Sequence, residues 1–281
     1  MKNATPSIQT FTSVEAGAWS NSYLVAGASE AILFDVPMLR SDARKLVDMI
    51  FASGKTLRKI MISHAHPDHF MSLDLICDHF PKSEPVSTEN VVNDIKTDGP
   101  WMLSLLQGKI GPEAASRLVI PEVVHDRFLE LEDTRLEIVE FGECEAKHIA
   151  ALYLPGSNRL LSADLVYNNS HLYLQERHLE SWLQRLEELS DFVRDRVSLI
   201  HPGHGGPSGP ELIPETRAYL EDFAEAIKSG NAGTAEQRML TKYPSYHVTQ
   251  FLTAFSIPAY FPAKTDTVSA QASSSVVPSH D

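Results

Sequence analysis

The sequence predicts an α+β fold that is built from two similar halves. In each half, a series of short β-rich segments with polar, glycine-containing turns is followed by an amphipathic helix. The chain has 281 residues, of which 43% are hydrophobic, and this suits one large globular domain. Beyond Pro210 only helical patterns follow. We expect a main domain over residues 1–210, a helical extension of that domain over 211–262 and a disordered tail over 263–281.

The first half contains four predicted strands and three predicted helices. In its first helix, Ala43, Leu46 and Ile50 recur on one face, and Ser41 is suited to the N-cap position. The third helix is expected to break at residues 98–100, because proline cannot donate a backbone hydrogen bond inside a helix. The apolar face beyond the break is expected to pack against the domain, with a wall or lid over a pocket as the alternative. The strands are predicted at residues 8–15, 19–26, 30–36 and 57–63, and the helices at 41–53, 71–80 and 90–108.

The second half repeats this order and then continues into helices. Its amphipathic helix carries one apolar stripe, formed by Leu179, Trp182, Leu183, Leu186 and Leu189. The aromatic residues of the C-terminal helices are expected to pack in the core, with substrate contacts or a homodimer surface as alternatives. The strands are predicted at residues 127–131, 136–142, 149–154, 159–165 and 198–201, and the helices at 179–192, 213–228, 234–243 and 248–255.

Composition and charge argue against several classes of protein. The formal net charge is -13 and the sequence has no cluster of lysines and arginines, so a nucleic-acid partner is not expected. Two cysteines do not form a disulfide framework. The sequence shows neither a secretory leader pattern nor a run of apolar residues long enough to span a membrane. We therefore expect a cytoplasmic protein without a membrane partner.

The residues from His64 to His69 read His-Ala-His-Pro-Asp-His and carry the main functional signal. Three imidazoles and one carboxylate follow directly after an apolar predicted strand. Imidazole and carboxylate groups are preferred ligands of zinc and related divalent metals, and a strand followed by a tight turn holds such groups rigidly. The pattern favours a metal site over a surface cluster of histidines.

This HxHxDH pattern resembles the signature of the metallo-β-lactamase superfamily. The resemblance implies an αββα sandwich, in which two sheets pack face to face with helices outside. It also implies two bound metal ions, with zinc expected and manganese or iron as alternatives. By the same resemblance, His64 and His66 would bind the first metal, whereas Asp68 and His69 would bind the second.

Two later residues match further ligands of this superfamily. Asp164, in the segment Leu-Leu-Ser-Ala-Asp-Leu, matches the aspartate that bridges the two metals, and His204, in Pro-Gly-His-Gly, matches the last histidine. Asp35 lies where relatives carry an Asp-Thr-Gly turn, although Val and Pro follow it here. We interpret Asp35 as a partner that orients a ligand histidine.

The third ligand of the first metal is where this sequence departs from the resemblance. Relatives carry a histidine eight residues before an aromatic residue of the next strand, and the same count back from Tyr153 reaches Glu145. Glu145 is therefore the favoured ligand, and it would make the site harder and more anionic. His148 is the alternative and requires the loop to be displaced by three residues. A third alternative leaves the first site without a metal.

The resemblance implies hydrolysis of a small-molecule ester, lactone or β-lactam-type carbonyl by a metal-activated hydroxide. Asp68 would be the catalytic proton carrier as well as a ligand. His171 and Tyr167 are candidates for substrate binding at the mouth of the site, with a polar surface loop as the alternative for His171. The alternative functions are a glyoxalase II-like thioesterase, a non-hydrolytic metal-binding scaffold and a mononuclear iron oxygenase. No Gly-x-Ser-x-Gly motif supports a serine nucleophile.

Overall fold

The computed structural model describes residues 5–262, which form two β-sheets around one hydrophobic core. In the first sheet the strands stand in sequence order; β1 to β3 are antiparallel and β3 to β6 are parallel. This sheet contains β1 (Ser7–Thr12), β2 (Asn21–Ala26), β3 (Glu30–Phe34), β4 (Thr56–Met61), β5 (Glu84–Ser87) and β6 (Glu122–Val123).

The second sheet has five strands in the order β11, β10, β9, β8 and β7. Only the β10–β11 pair is parallel. Every residue of β2 and of β9 is buried, as expected for strands that are covered on both faces. The sheet contains β7 (Phe128–Leu131), β8 (Thr134–Phe141), β9 (Ile149–Leu154), β10 (Arg159–Ala163) and β11 (Leu199–Pro202).

Most of the helices bury one apolar face. The exception is α4 beyond Gly99, where Trp101 is 64% exposed and Leu105 is 38% exposed, so the expected packing of this face against the domain is only partial. In α5, the predicted stripe from Leu179 to Leu189 is buried except for Leu183, which is partly buried, and Trp182 donates a hydrogen bond to the backbone oxygen of Leu165. None of the helices in the part of the chain that the structure describes is long and apolar enough to cross a membrane. The helices are α1 (Arg40–Ala52), α2 (Pro67–Phe70), α3 (Leu73–His79), α4 (Glu89–Ile110), α5 (Leu179–Val193), α6 (Leu212–Ile227), α7 (Ala232–Lys242), a π-helix (Phe251–Ser256) and α8 (Ile257–Tyr260).

The predicted break in the third helix is wrong. Helix α4 runs without interruption through Pro100, and Gly99 beside it is buried against Leu118. Proline removes one backbone donor from the helix. On the N-terminal side of Pro100, hydrogen bonds from Lys147 to Asp98 and from His148 to Asp94 hold the helix. Local sequence rules predicted a break that tertiary contacts prevent.

Two further differences from the predicted elements concern local chemistry. Strands β5 and β6 were not predicted, because the first contains Pro85 and the second has only two residues. Helix α1 begins at Arg40, and the amide of Ser41 donates to the carboxylate of Glu113 instead of Ser41 capping the helix. The tail predicted to be disordered, residues 263–281, lies outside the described residues.

The strand ends bring five chain segments to one edge of the molecule. Asp35 follows β3, the His64–His69 turn follows β4, Asp164 follows β10 and the loop with His204 follows β11. The connection between β8 and β9 adds Glu145 to the same edge. The predicted site residues therefore converge because parallel neighbouring strands end together.

Candidate metal centre

The His64–His69 turn is fixed by the backbone on both sides. The amide of Ala150 in β9 donates to the carbonyl of Ser63, which links the turn to the second sheet. His66 occupies the N-cap of α2 with Pro67 at the first helical position, where the missing amide hydrogen costs nothing. The short helix then places Asp68 and His69 one after the other toward the interior.

A first group of donor atoms consists of His64, His66 and Glu145. All three side chains are buried, and their ligand atoms lie within 4.8 Å of one another. One carboxylate oxygen of Glu145 is 2.9 Å from Nδ1 of His66, and the other is 3.6 Å from Nε2 of His64. Two imidazole nitrogens and a carboxylate thus face one point, which suits a divalent metal.

A second group consists of Asp68, His69 and His204, again with donor atoms within 4.8 Å of one another. The Nε2 atoms of the two histidines are 3.4 Å apart. Asp164 lies beside them, with one carboxylate oxygen 3.4 Å from Nε2 of His69 and the other 3.2 Å from Nε2 of His204. With Asp164 included, the second group therefore offers two imidazoles and two carboxylates.

The rear nitrogens of three histidines are held by hydrogen bonds that aim the opposite nitrogen at the site. Asp35 accepts hydrogen bonds from the hydroxyl of Ser63 at 2.7 Å and from Nδ1 of His69 at 3.0 Å. The Ser63 hydroxyl donates its single hydrogen to Asp35. Its oxygen therefore accepts a hydrogen bond from Nδ1 of His64 at 2.8 Å. Nδ1 of His204 donates to a backbone carbonyl at 2.9 Å. One buried carboxylate thus orients a histidine in each group.

The loop that carries His204 is held by the beginning of the chain. Nδ1 of His204 donates to the carbonyl of Ala18, and the amide of Asn21 donates to the carbonyl of Gly203 at 2.8 Å. The side chains of Asn21 and Tyr23 both donate to the carbonyl of Pro202, at 3.0 and 2.6 Å. These bonds join residues that lie between 179 and 186 positions apart in sequence.

The buried donor atoms fit a metal because many of them have no other partner. Nε2 of His64, Oε2 of Glu145, Oδ2 of Asp68 and Oδ1 of Asp164 are buried without a hydrogen bond in the described part of the chain. Unpaired buried polar atoms are rare, since each costs about 1–3 kcal/mol. All four lie in the two donor groups, so two cations would satisfy them together.

The charges of the clustered side chains also fit bound metal ions. Five carboxylates lie within the cluster, and among the described residues none of them forms an ion pair with a lysine or arginine. Buried carboxylates without a paired cation are costly. Divalent metals would supply the missing positive charge. The five are Asp35, Asp68, Glu145, Asp164 and Glu176.

The pKa directions reflect burial opposed by neighbouring charges. Burial raises the pKa of Glu145 to about 7, although His66 beside it acts in the opposite direction. For Asp164, burial also favours the neutral form, but His69 and His204 hold the pKa well below its usual range. Burial would lower the pKa of His69, whereas Asp164 and Asp68 raise it well above its usual value. The cluster is thus strongly coupled electrostatically.

The structure separates the two alternatives for the third ligand of the first metal. Glu145 points at His64 and His66, whereas Nδ1 of His148 bonds to Asp94 of α4 at 2.8 Å. The amide of Cys144 bonds to the carbonyl of Ala146, which makes a tight turn around Glu145 and directs its side chain inward. The geometry favours Glu145, and metal binding by it stays a prediction.

The two candidates for substrate binding lie in different places. The hydroxyl of Tyr167 donates to Asp164 at 2.7 Å, and its ring lies 4.8 Å from that of His204, so Tyr167 does belong to the site. The prediction that His171 lies at the mouth is wrong. His171 is 1% exposed and bonds to the hydroxyl of Tyr219 in α6, because the C-terminal helices cover it.

Sequence reasoning missed Glu176 and Tyr173. One oxygen of Glu176 lies 2.8 Å from Nε2 of His66, and the ring of Tyr173 lies 5.0 Å from the His66 ring. Tyr173 in turn contacts Phe251 and Phe255 of the π-helix. Burial raises the pKa of Glu176, but His66 lowers it below its usual value overall. Glu176 and Tyr173 belong to no motif, and their only signal is their position shortly after Asp164.

The fold has the architecture of the metallo-β-lactamases, and its clustered donors could hold metal ions. Residues 20–204 match the family described as the metallo-beta-lactamase superfamily. The chain belongs to this superfamily, whose members are generally metal-dependent hydrolases and typically bind zinc. The predicted αββα fold is confirmed.

Solved metallo-beta-lactamase structures resemble this fold, and one curated relative matches part of the chain. A metallo-beta-lactamase family protein from Thermus thermophilus, TTHA1429, superposes with a TM-score of 0.67 and 19% identity over 91% of each chain. A metallo-beta-lactamase from Pontibacter korlensis gives a TM-score of 0.60 and 16% identity, over 79% of this chain and 97% of that one. The uncharacterized protein YobT of Bacillus subtilis (strain 168) is 33% identical over 69 residues, which are 25% of this chain and 29% of that protein.

Proposed function

We propose that the protein is a metal-dependent hydrolase that acts on a small-molecule ester, lactone or β-lactam-type carbonyl. The observation that carries the proposal is the pair of donor groups at one strand edge, with Asp164 beside the second group. Two divalent ions held there would activate water as a nucleophile near neutral pH and stabilise negative charge on a carbonyl oxygen. Zinc is the expected metal, with manganese or iron as alternatives.

The predicted ligands form two sets, one for each ion. His64, His66 and Glu145 would hold the first, while Asp68, His69 and His204 would hold the second. Asp164 would bridge them, and the Tyr167 hydroxyl fixes the orientation of its carboxylate. The buried hydrogen bonds behind the histidines keep this arrangement rigid before any ligand binds.

Asp68 is suited to a second role as proton carrier. Its side chain is 13% exposed, whereas the side chains of Glu145 and Asp164 are 1% and 2% exposed. Among these three carboxylates, Asp68 is thus the one that water and a leaving group reach most easily. A proton passed through Asp68 from the attacking water to the leaving oxygen or nitrogen would complete the cleavage.

Hydrolysis assays with the metal-loaded and the metal-free protein test this proposal. Esters, lactones, thioesters and a chromogenic β-lactam are each offered before and after removal of metal with a chelator. We expect cleavage of at least one oxygen-ester, lactone or β-lactam, its loss with the chelator and its recovery when zinc or manganese returns. The Asp68→Asn variant should be strongly impaired, and His148→Ala should retain activity.

Other outcomes identify the alternatives. Cleavage confined to thioesters would indicate a glyoxalase II-like thioesterase. One bound iron together with oxygen consumption would indicate an iron oxygenase. A metal-loaded protein that cleaves nothing on the panel would indicate a metal-binding scaffold. Each of these results would overturn the proposal.

A further inference from the structure

In His66, as in His69, both ring nitrogens face carboxylates. Nδ1 of His66 lies 2.9 Å from Oε1 of Glu145, inside the first donor group, and Nε2 lies 2.8 Å from Oε1 of Glu176, outside it. In His64 the rear nitrogen bonds to a serine hydroxyl, and in His204 it bonds to a backbone carbonyl. Within the first donor group, His66 is thus the histidine with a carboxylate directly behind it.

The partner behind a histidine decides which nitrogen can bind a metal. A ligand imidazole is neutral, so one nitrogen carries the hydrogen and the other offers its lone pair. A carboxylate at Nε2 of His66 keeps the hydrogen there and leaves the lone pair on Nδ1. That nitrogen is the one that faces Glu145. The carboxylate also increases the electron density that the ring offers to a metal.

The surroundings of Glu176 hold this contact in place. The ring of Tyr173 packs edge-on against His66, with ring centroids 5.0 Å apart. The Glu176 side chain is 25% exposed, and its second oxygen lies 3.8 Å from Nδ1 of His178. Glu176 therefore lies at the outer rim of the first donor group, whereas Asp35, the corresponding carboxylate behind His69, is 1% exposed.

We propose that Glu176 is a positioning residue that fixes His66 as an Nδ1 ligand and strengthens the first metal site selectively. The inference depends on the proposed metal centre. Glu176 contacts none of the second group's side chains by hydrogen bond or ion pair among the described residues. Loss of an outer partner of this kind typically weakens metal affinity by about 10-fold to 100-fold. The loss should affect one of the two metals only.

The experiment compares Glu176→Gln and Glu176→Ala with the unchanged protein. Metal-free forms are titrated with zinc in competition with a coloured chelator, and with cobalt(II) while its visible absorption is recorded. Glutamine can still accept the hydrogen bond but lacks the charge, so it should weaken the first site less than alanine does. Alanine should weaken it by about 10-fold to 100-fold and alter the cobalt spectrum of the first ion. The affinity of the second site should stay unchanged.

The chain offers a closely matched control. Asp94 and His148 form a carboxylate–histidine hydrogen bond of the same length, 2.8 Å, outside the donor groups. Asp94→Asn should leave both metal affinities and the cobalt spectrum unchanged. Thermal unfolding of the metal-free forms shows whether each variant is folded, and Glu176→Asp serves as a conservative replacement if the alanine variant is not.

The possible results separate this inference from the proposed function. Unchanged first-site affinity in Glu176→Ala, equal weakening of both sites, or the same weakening in Asp94→Asn would overturn the role of Glu176 alone. An unaltered protein that binds no metal would overturn both proposals. Selective weakening of the first site in a protein that hydrolyses nothing would support Glu176 and overturn the hydrolase.

Discussion

Replacement of Glu145 by alanine should remove the first metal and leave the second. The carboxylate is 1% exposed and lies between two imidazoles, with its oxygens 2.9 Å from His66 and 3.6 Å from His64. A carboxylate oxygen bound to zinc lies about 2.2 Å from it, and at that distance the two attract by about 4 kcal/mol even at the dielectric constant of water. This corresponds to about a thousandfold loss of affinity.

The assay counts metal ions per chain after dialysis against a small excess of zinc. The unaltered protein should hold two equivalents, and Glu145→Ala should hold one. His148→Ala is the matched variant: it lies three residues further along the same loop and bonds to Asp94, so it should hold two. Two equivalents in Glu145→Ala, or one in His148→Ala, would refute the assignment of the third ligand.

Three further changes test other parts of the structure. Asp35→Asn should lower the affinity of both sites for metal by about 10-fold to 100-fold, because Asp35 orients a histidine in each group. Chelator competition measures the two affinities. A loss of affinity at one site only would contradict the shared role. Gly203→Ala should displace Asp164, since the added Cβ would overlap its carboxylate, and metal counting should show fewer than two equivalents. Burial raises the pKa of Asp74, but hydrogen bonds from Ser116 lower it overall. The ionised Asp74 therefore stabilises the folded protein fully above about pH 4, and this contribution is lost as the pH falls through the lowered pKa. Asp74→Asn should be less stable than the unaltered protein at pH 7, and urea unfolding should show this difference shrinking at pH 3.

The parts of the site that the sequence predicts are those fixed by short-range chemistry. The four donors between His64 and His69 are neighbours in the chain, so one strand and one tight turn suffice to bring them together. Asp164 and His204 each follow a strand, and β10 and β11 pair in parallel, so their ends meet. Glu145 was found by its register relative to Tyr153 in β9. The resemblance to the superfamily selected Asp164, His204 and Glu145, and the ends of regular elements explain why these residues meet.

The parts that the sequence does not predict depend on contacts between distant segments. Helix α4 passes Pro100 because the β8–β9 loop holds its flank, which no local rule contains. His171 lies in a segment with the composition of an exposed loop, but α6 covers it. Glu176 belongs to an irregular segment, and its meeting with His66 depends on how that segment folds over the site. Tertiary packing decides all three.

The hydrogen bonds between residues 18–23 and the His204 loop have a consequence for the order of folding. Their partners are separated by 179 to 186 residues, so loop closure on this scale has to precede completion of the second ligand set. During synthesis, an emerging chain presents the His64–His69 turn long before Pro202 to Gly205 leave the ribosome. Under the proposed metal centre, uptake of the second ion would therefore follow the synthesis of residues 202–205, and a fragment that ends before residue 202 should capture at most one ion.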